Sequence, residues 1–444
     1  MEGHVSYRVL LVRAYGCRKV ILDLAAGETI RVRKRGKGMA KRSTLGIFCA
    51  LALGGATALA QQSSVFTIGT LYAGSGSFAT SSLPQYQGLK FWAQQVNAKG
   101  GVYVKSLGKR LKIKIVALND QSSTSTAETE YNQLITQDHV NLLVADFGSV
   151  LTSVAIPLAN EHHVLLIDPT GTGASFFPKP NPYLVLAALP TSAVWPDSLA
   201  NFLIARKLKR VAILYDTNDF DQSQAQTLAQ KLKAAGITPV YDNGVSTSTS
   251  NYTVLVHDIA ATNPQVVAEF GYSANDIPFL QAVDSSGLKF NLVFTVFPGQ
   301  LEQLLQKNVG TAGLNGTLTY PTPPLLAYNK VNFGLGVNAF TRAFKAAGMG
   351  APNFLDIAGY NSGLVIQRAL QLTSGLKPLA LRRAIQSFSG KMFTLDGLFK
   401  VQSSGAQVGE LLPVAQFQMQ GGQLKLVIVY PKNVATGKLL YPAP

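Results

Sequence analysis

From Val65 onward, strand and helix patterns alternate along the chain, and this alternation limits the fold more than any other feature. The run VFTIGTLY is rich in strand-forming residues. It is followed by apolar residues spaced three or four apart between Leu83 and Val96, which is typical of one face of a helix. The runs LKIKIVALND, VNLLVADFG and HVLLIDPT repeat the strand pattern, with helical segments between them. Such strand–helix–strand repeats predict a parallel sheet with helices on both faces.

A second series of the same kind follows the proline-marked stretch FFPKPNPYLVLAALP. The runs RVAILYD, QVVAEFGY and KFNLVFTVF read as its strands. The alternation stops in the C-terminal part, where three helical segments precede two strands around a Gly421-Gly422 turn. We therefore predict an α/β protein with two doubly wound parallel-sheet lobes, both completed by this tail.

The loop after the first strand contains GSGSFA (residues 74–79), which fits the G-x-G-x-x-A turn of dinucleotide-binding folds. The helix-start signals, hydroxyl residues at 80–82 and then Pro84, come too late to place a helix N-terminus at a phosphate. The acid expected about 20 residues further on is also missing, because residues 65–118 contain no Asp or Glu. Two interpretations of the loop stay open, a small-molecule loop at the carboxyl end of the strand and a plain surface loop.

Residues 39–60 have the features of a secretory signal peptide. Lys41 and Arg42 precede a short apolar core, and the small residues of Ala58-Leu59-Ala60 favour cleavage before Gln61. The apolar run is short for a membrane span. A buried or membrane-anchoring N-terminal helix is the alternative.

Positive charge and cysteines are concentrated in the N-terminal part of the chain. Residues 1–60 hold 11 Lys and Arg against 3 Asp and Glu, which is half of the net charge of +16. The remainder has no dense basic run, which argues against nucleic-acid binding. Cys17 and Cys49 both precede the predicted cleavage, so the mature chain would need no disulfide. We expect residues 1–38 to be a mis-called or unstructured leader, with Met39 as the initiator, and the mature protein to be soluble and periplasmic.

The order of these elements resembles that of the type I periplasmic binding proteins of ABC transporters, in the Leu/Ile/Val-binding branch. FTIGTLYAGSGSFATSS is similar to the first strand and loop of that family, and GLKFWAQQVNAKGG to its first helix. LLVADFGSVLTSVAIPLANEHHVLLIDPTGTG is similar to the paired ligand loops, and VAILYDTNDFDQSQAQTLAQKLKAAG to the opening of the second lobe. IAGYNSGLVIQRAL resembles a late helix of the first lobe, and the resemblance extends from about Val65 to Pro431.

The resemblance implies two lobes joined by a three-crossing hinge that close on a ligand in the cleft between them. It also implies delivery of the ligand to a membrane permease, with transport energy supplied by ATPase subunits. It implies no cofactor and no metal, and we expect a monomer. The crossings are expected near Pro182–Pro190, Gly316–Tyr320 and Gly397–Leu412, with residues 61–186 and 317–397 in lobe 1 and residues 187–316 and 398–444 in lobe 2.

The same resemblance implies which side chains contact the ligand. Ser149 falls at the serine that binds the ligand carboxylate, although it could equally cap the following helix. Thr172 would offer the carboxylate a hydroxyl and an N–H, and the Gly171 carbonyl would accept from an ammonium, unless DPTGTG is a plain turn. Five aromatic side chains are expected to line the cleft: Phe78, Phe147, Phe220, Tyr272 and Phe297. Phe78 could instead be a core residue.

A branched-chain or hydrophobic amino acid is the ligand that the resemblance implies. Members that bind amino acids usually carry a lobe-2 carboxylate that pairs with the ammonium, but the loop Phe297–Gln300 of this chain has no acid. A buried ammonium without a partner would be costly. Asp219, Asp221 or Asp276 could replace that carboxylate, unless all three are solvated surface acids. The alternative ligand is an amine-free aromatic or aliphatic carboxylate.

Two other classes of function were weighed against this one. The histidines after residue 60 are His139, His162, His163 and His257, and the sequence has no H-E-x-x-H, no G-x-S-x-G and no cysteine nucleophile, so we predict that the protein is not an enzyme. A ligand-sensing subunit of a membrane receptor would have the same fold. The sequence does not separate that role from transport.

Overall fold

The computed structural model describes residues 64–321, 330–409 and 412–444. The predicted leader and signal peptide lie outside these ranges. Within them, none of the helices has the length and apolar character needed to cross a membrane.

The first lobe is built on a six-stranded sheet. Its elements are β1 (Val65–Tyr72), α1 (Ala79–Ala98), β2 (Val102–Val104), β3 (Lys109–Asn119), α2 (Thr124–Thr136), β4 (Leu142–Val144), α3 (Gly148–Glu161), β5 (Leu166–Asp168) and β6 (Leu184–Leu186). The strand order is β2-β3-β1-β4-β5-β6, and every pairing is parallel except that of β2 with β3. The predicted parallel sheet is confirmed.

The second lobe repeats this arrangement. Its elements are α4 (Asp197–Ala205), β7 (Val211–Asp216), α5 (Asp219–Ala234), β8 (Tyr241–Val245), α6 (Thr253–Ala261), β9 (Val266–Phe270), α7 (Ser273–Ser286), β10 (Val293–Phe294), α8 (Glu302–Leu314) and β11 (Leu318–Thr319). The pairings among these five strands are all parallel.

The C-terminal tail completes both lobes, as predicted. Its elements are α9 (Val337–Ala346), α10 (Phe354–Leu372), α11 (Pro378–Phe388), β12 (Met392–Thr394), β13 (Gly397–Phe399), β14 (Val414–Gln420) and β15 (Gln423–Tyr430). The last two strands join the second sheet through an antiparallel pairing with β11, which gives the order β15-β14-β11-β10-β9-β7-β8. The three helices pack on the first lobe.

Strand β4 shows how the first sheet buries both of its faces. Leu142 and Val144 face a core shared with α1, α10 and α11, whereas Leu143 faces a core shared with α2 and α3. All three side chains are buried. A strand covered on both sides explains why VNLLVADFG reads as a continuous apolar run and not as an alternating one.

Helices α1 and α10 cross with their backbones in close contact, and glycines make this approach possible. A Cβ atom placed on Gly88 of α1 would overlap the carbonyl oxygen of Asp356, and one placed on Gly359 of α10 would overlap that of Gln85. One turn further on, Gly363 leaves room for the buried indole of Trp92. This crossing fixes the tail helices to the first lobe.

The first and third crossing segments are hydrogen bonded to each other. The amide of Leu186 donates to the Gly405 carbonyl at 2.9 Å, and that of Thr191 donates to the Gln407 carbonyl, also at 2.9 Å. The two segments thus run side by side where the chain passes between the lobes.

Two of the expected lobe boundaries are refined by the sheet and core assignments. Strand β11 lies in the second sheet, and Phe399 and Val401 lie in the core of the first lobe. We therefore propose that the second and third crossings lie a few residues C-terminal of the 316/317 and 397/398 boundaries. Part of the second crossing, residues 322–329, lies outside the described residues.

Candidate functional site

The carboxyl ends of both sheets meet across one cleft, as expected for ligand sites in open α/β sheets. The first lobe contributes the loop between β1 and α1, the turn after β4 together with the first residues of α3, and the loop after β5. The second lobe contributes the start of α5, the turn between β9 and α7, and the loop after β10. All eight predicted site residues lie on these six segments.

Tyr272 lies at the centre of the cleft and brings the predicted aromatic residues together. Its ring centroid lies 5.5 Å from that of Phe78 and 5.9 Å from that of Phe147, both on the first lobe. It lies 5.3 Å from Phe220 and 6.1 Å from Phe297 on the second lobe. We call these five residues the aromatic cluster, and each of them is less than 10 % exposed.

Ser149 lies at the second position of α3 and contacts both lobes. Its amide donates to the hydroxyl oxygen of Tyr272 at 3.2 Å, and its Oγ accepts from the Gly173 amide at 2.9 Å. The N-cap residue of α3 is Phe147, with an extended backbone and no side-chain hydrogen bond. The capping role considered for Ser149 is therefore wrong, and its hydroxyl instead fixes the loop after β5.

The loop after β5 is held by Asp168. Its Oδ1 accepts from the amides of Gly171 at 2.6 Å and Thr170 at 3.2 Å. Burial raises the pKa of Asp168 to about 7, although these two hydrogen bonds act in the opposite direction. The Thr172 hydroxyl is fully buried and has no hydrogen-bond partner, while the Thr172 carbonyl accepts from Ser192. The loop is thus a rigid, buried turn with one uncommitted hydroxyl.

The loop between β1 and α1 is tied to the turn after β4. Helix α1 begins at Ala79, before the hydroxyl residues that the sequence analysis expected to cap it. Ser82 instead accepts from the Ala73 amide at 2.7 Å and donates to a carboxylate oxygen of Asp146 at 2.5 Å. The expectation of a late helix start is therefore wrong, and the Ser82 hydroxyl serves tertiary contacts instead of capping the helix.

The three acids considered as ammonium partners lie in different environments. Asp219 is half-buried and accepts from Ser175 of the first lobe, at 2.8 Å from its Oγ and 3.1 Å from its amide. Asp221 and Asp276 are fully buried, so the interpretation of these two as solvated surface acids is wrong. Burial and the nearby Asp216 hold the pKa of Asp221 well above its usual range. The Asp276 carboxylate accepts from the Phe297 amide at 2.6 Å.

The closed cleft retains two small cavities. Both contain Phe147 and Tyr272 in their walls, and in the described residues no Asp or Glu lines either one. The larger, of about 40 Å³, is lined by Ser77, Phe78, Ser81, Phe147, Thr247, Tyr272, Ser273, Ala274 and Asn275. The smaller, of about 10 Å³, is lined by Phe147, Thr170, Leu189, Trp195, Phe220, Tyr272, Phe297, Gln300 and Phe354.

Sequence reasoning missed five residues of the smaller cavity: Thr170, Leu189, Trp195, Gln300 and Phe354. Trp195 packs on Phe220 at 5.1 Å between ring centroids, and Phe354 packs on Phe297 at 6.2 Å. Gln300 is only 4 % exposed, and neither atom of its side-chain amide has a hydrogen-bond partner. Leaving such a buried polar group unpaired costs about 1–3 kcal/mol. The proximity of Gln300 to Phe297 in the sequence was the available signal.

Small-molecule pockets commonly enclose about 300–1,000 Å³. Cavities of about 40 and 10 Å³ are far smaller, because the aromatic cluster fills the space between the lobes. A ligand with several carbon atoms can therefore enter only if the rings of the two lobes separate. A hinge rotation is a motion of that kind.

Comparison with solved structures agrees with this two-lobed architecture. LivJ of Streptococcus pneumoniae in complex with isoleucine matches with a TM-score of 0.67 at 16% identity, covering 83% of this chain and 100% of that one. A solute-binding protein of an R. palustris ABC transporter in complex with benzoate matches with a TM-score of 0.68 at 17% identity, covering 86% and 97%. At these identities the similarity establishes the fold.

Sequence comparison establishes the family. The Leu/Ile/Val-binding protein homolog 8 of Brucella abortus is 24% identical over 407 residues, which covers 88% of this chain and 98% of the relative. The model of the family described as "Periplasmic binding protein" matches residues 65–423. The chain therefore belongs to the periplasmic binding protein family, as its two lobes, its hinge and its closed interlobe cleft also indicate.

Proposed function

We propose that this protein is an extracytoplasmic solute-binding protein of an ABC importer. It would bind a carboxylate-bearing small molecule between its lobes and deliver it to a membrane permease. Its family consists of solute-binding proteins and not of enzymes, and membership implies an extracytoplasmic location. The observation that carries the proposal is the contact at the buried N-terminus of α3, where the Ser149 amide donates to an oxygen atom from the other lobe.

A ligand carboxylate suits the same position. The N-terminus of a helix favours negative charge, and its first amides lack partners within the helix. A carboxylate oxygen is a stronger acceptor than the phenol oxygen of Tyr272. Burial raises the pKa of Tyr272, so this hydroxyl stays protonated and neutral at physiological pH. We propose that the carboxylate takes the Ser149 amide from Tyr272, and that the unpaired Thr172 hydroxyl supplies a second hydrogen bond.

An amine-free aromatic carboxylate is the ligand class that the cleft supports best. Neither cavity has an acid in its described lining, so an ammonium would lack a counter-ion there. The aromatic cluster supplies a flat, apolar environment in which a ring would pack well. The benzoate complex of the R. palustris protein supports this choice by analogy.

A hydrophobic amino acid is the second candidate. The relatives named Leu/Ile/Val-binding proteins and the isoleucine complex of LivJ favour it. In this chain, Asp219 would be the acid best placed to contact an ammonium, because it already lies against the loop that contains Gly171 and Ser175. The Gly171 carbonyl would then be a second acceptor for that ammonium.

A matched ligand pair separates the two candidates. Leucine and its amine-free keto acid, 4-methyl-2-oxopentanoate, differ at the α-carbon, and benzoate tests the aromatic class. Thermal unfolding of the protein beginning at Gln61 would be followed with each compound. We expect benzoate and the keto acid to raise the Tm, with about 2.7 kcal/mol of added stability at 100 times Kd. A rise with leucine alone would contradict the amine-free class.

Replacing Ser149 by alanine (S149A) is expected to weaken binding of the stabilising carboxylate at least about tenfold, the equivalent of about 1.4 kcal/mol. The replacement removes the acceptor of the Gly173 amide and so loosens the loop that carries Thr172. Isothermal titration calorimetry at 15 °C would measure Kd. S153A is the matched control, since Ser153 is an exposed serine of the same helix. Equal Kd values for the two variants would exclude Ser149 from the site.

Delivery to a permease is tested by uptake of the labelled ligand. Cells that lack this protein should lose uptake, and cells that produce S149A should regain it only in part. Normal uptake without the protein, together with loss of a ligand-induced response, would instead indicate a ligand-sensing subunit.

A further inference from the structure

Gln300 has a buried side-chain amide that forms no hydrogen bond in this structure. Its backbone N–H is engaged in a turn with the Phe297 carbonyl at 2.9 Å, which fixes the residue at the end of the loop after β10. Its side chain reaches the smaller cavity and is 4 % exposed. Neither Nε2 nor Oε1 has a hydrogen-bond partner. A donor and an acceptor therefore lie side by side in a cavity lined mainly by aromatic side chains.

The other polar side chains of this cavity each have at least one hydrogen-bond partner. The Thr170 hydroxyl donates to Gln85 Oε1 at 2.6 Å and accepts from the Gly148 amide at 3.0 Å. The Tyr272 hydroxyl accepts from the Ser149 amide. The indole N–H of Trp195 donates to the Pro190 carbonyl at 2.7 Å. Gln300 is thus the side chain of this described lining whose donor and acceptor atoms both lack a hydrogen-bond partner.

The chemistry of a carboxamide restricts what it recognises. It is neutral, and it donates and accepts at adjacent atoms. A hydroxyl group on a ligand is compatible with both atoms of the amide, because it can accept a hydrogen bond from Nε2 and can donate one to Oε1. An ammonium would use the acceptor alone and leave a positive charge without a counter-ion in this cavity. A purely apolar ligand would leave both amide atoms buried and unpaired.

We propose that Gln300 is a specificity-determining residue that selects ligands carrying a neutral hydroxyl group in addition to the carboxylate. The ligand class would then be hydroxylated aromatic acids. This inference rests on the proposed function, because it assumes that an aromatic carboxylate occupies the cleft. It adds a second point of recognition, located on the opposite lobe from Ser149.

Benzoate, 3-hydroxybenzoate and 4-hydroxybenzoate are the probes, since they differ in one hydroxyl group. Calorimetric titration would give Kd for each acid with the natural protein and with Gln300→Met, which preserves the length of the side chain. We expect at least one hydroxybenzoate to bind the natural protein about tenfold or more tightly than benzoate does. In Gln300→Met this preference should disappear, with the Kd for benzoate unchanged or lower.

Gln281→Met is the matched control, because Gln281 is an exposed residue of α7 and the exchange is the same. It should keep the preference for the hydroxylated acid. Gln300→Leu provides a second apolar variant if Gln300→Met does not fold. The Tm of either apolar variant should equal or exceed that of the natural protein, since it removes an unpaired buried amide.

The possible outcomes distinguish the role of Gln300 from the proposed binding of an aromatic carboxylate. Equal binding of all three acids, or a preference that survives in Gln300→Met, overturns the role of Gln300 and leaves the proposed carboxylate ligand intact. Failure of all three acids to bind overturns the aromatic class and the role of Gln300 with it. A marked fall in the Tm of both apolar variants would show that Gln300 has a structural partner, which also overturns the inference.

Discussion

Replacing Gly359 by alanine (G359A) is expected to destabilise the first lobe by about 3 kcal/mol or more, although alanine is the better helix former. In an exposed helix, this exchange stabilises by about 1 kcal/mol. Here the added methyl group would overlap the backbone carbonyl of Gln85, so α1 and α10 would have to move apart. Overpacking against an element that cannot yield typically costs 1–3 kcal/mol and occasionally more. Urea-induced unfolding would measure the difference.

Gly375→Ala is the matched control for this effect. A Cβ atom at Gly375 would meet no other atom within 4 Å. We expect its free energy of unfolding to stay within about 0.5 kcal/mol of that of the natural protein, as for most surface exchanges. If G359A were as stable as G375A, the close crossing of α1 and α10 would be incorrect.

Lowering the pH from 8.5 to 5.5 is expected to stabilise the protein by at least about 2 kcal/mol, the contribution of a single buried acid with a folded pKa of about 7. Burial raises the pKa of several acids far above the value of 3.8 for an exposed aspartate, so the folded chain binds protons that the unfolded chain has released. For such groups stability is present at low pH and is lost as the pH rises through the folded pKa. The folded pKa values are about 7 for Asp168, Asp276, Asp356 and Asp396 and about 8 for Asp216.

Asp396→Asn (D396N) tests this pH dependence at one position. Asp396 is 5 % exposed, and its Oδ2 accepts from Asn361 Nδ2 at 2.5 Å. Asparagine keeps an acceptor but cannot ionise, so D396N should be more stable than the natural protein at pH 8.5 by about 2 kcal/mol. Urea midpoints at pH 5.5, 7.0 and 8.5 would measure it. Asp138→Asn, at an exposed side chain, should leave the pH profile unchanged. A natural protein that is most stable at pH 8.5 would contradict the expectation.

The fold and the cleft-facing loops could be predicted because they follow from local patterns. Parallel strands place their carboxyl ends on one edge, so the residues that follow β4, β5, β9 and β10 must come near one another. The family resemblance singled out Ser149, and the position after the VVAEF strand singled out Tyr272; the structure brings the two residues to 3.2 Å from N to O. The helical spacing of apolar residues predicted the three helices of the tail, and the Gly421-Gly422 turn predicted its two final strands.

The remaining parts depend on contacts between distant segments. Phe354 reaches the cleft from α10, and nothing near it in the sequence indicates a ligand-facing loop. The sequence position of Ser82 suggests a helix cap, but its hydroxyl is hydrogen bonded to the Ala73 amide and to the Asp146 carboxylate. Asp221 and Asp276 lie in first helical turns, where acids are usually solvated, yet both are fully buried. A local sequence pattern predicts the backbone conformation of a segment. It does not predict which residues from distant segments will contact that segment in the folded protein.

The pairing of β11 with β14 also bears on the order in which the chain can fold during synthesis. Leu318 pairs with Gln416, and the residues between these two strands include the helices that pack on the first lobe. The second sheet therefore lacks two of its strands until nearly the whole chain has been made. Until then β11 presents an unpaired edge, a feature that promotes aggregation. A truncation that ends before Val414 would make this exposed edge permanent, so premature termination late in translation should yield an insoluble product and not a working half-protein.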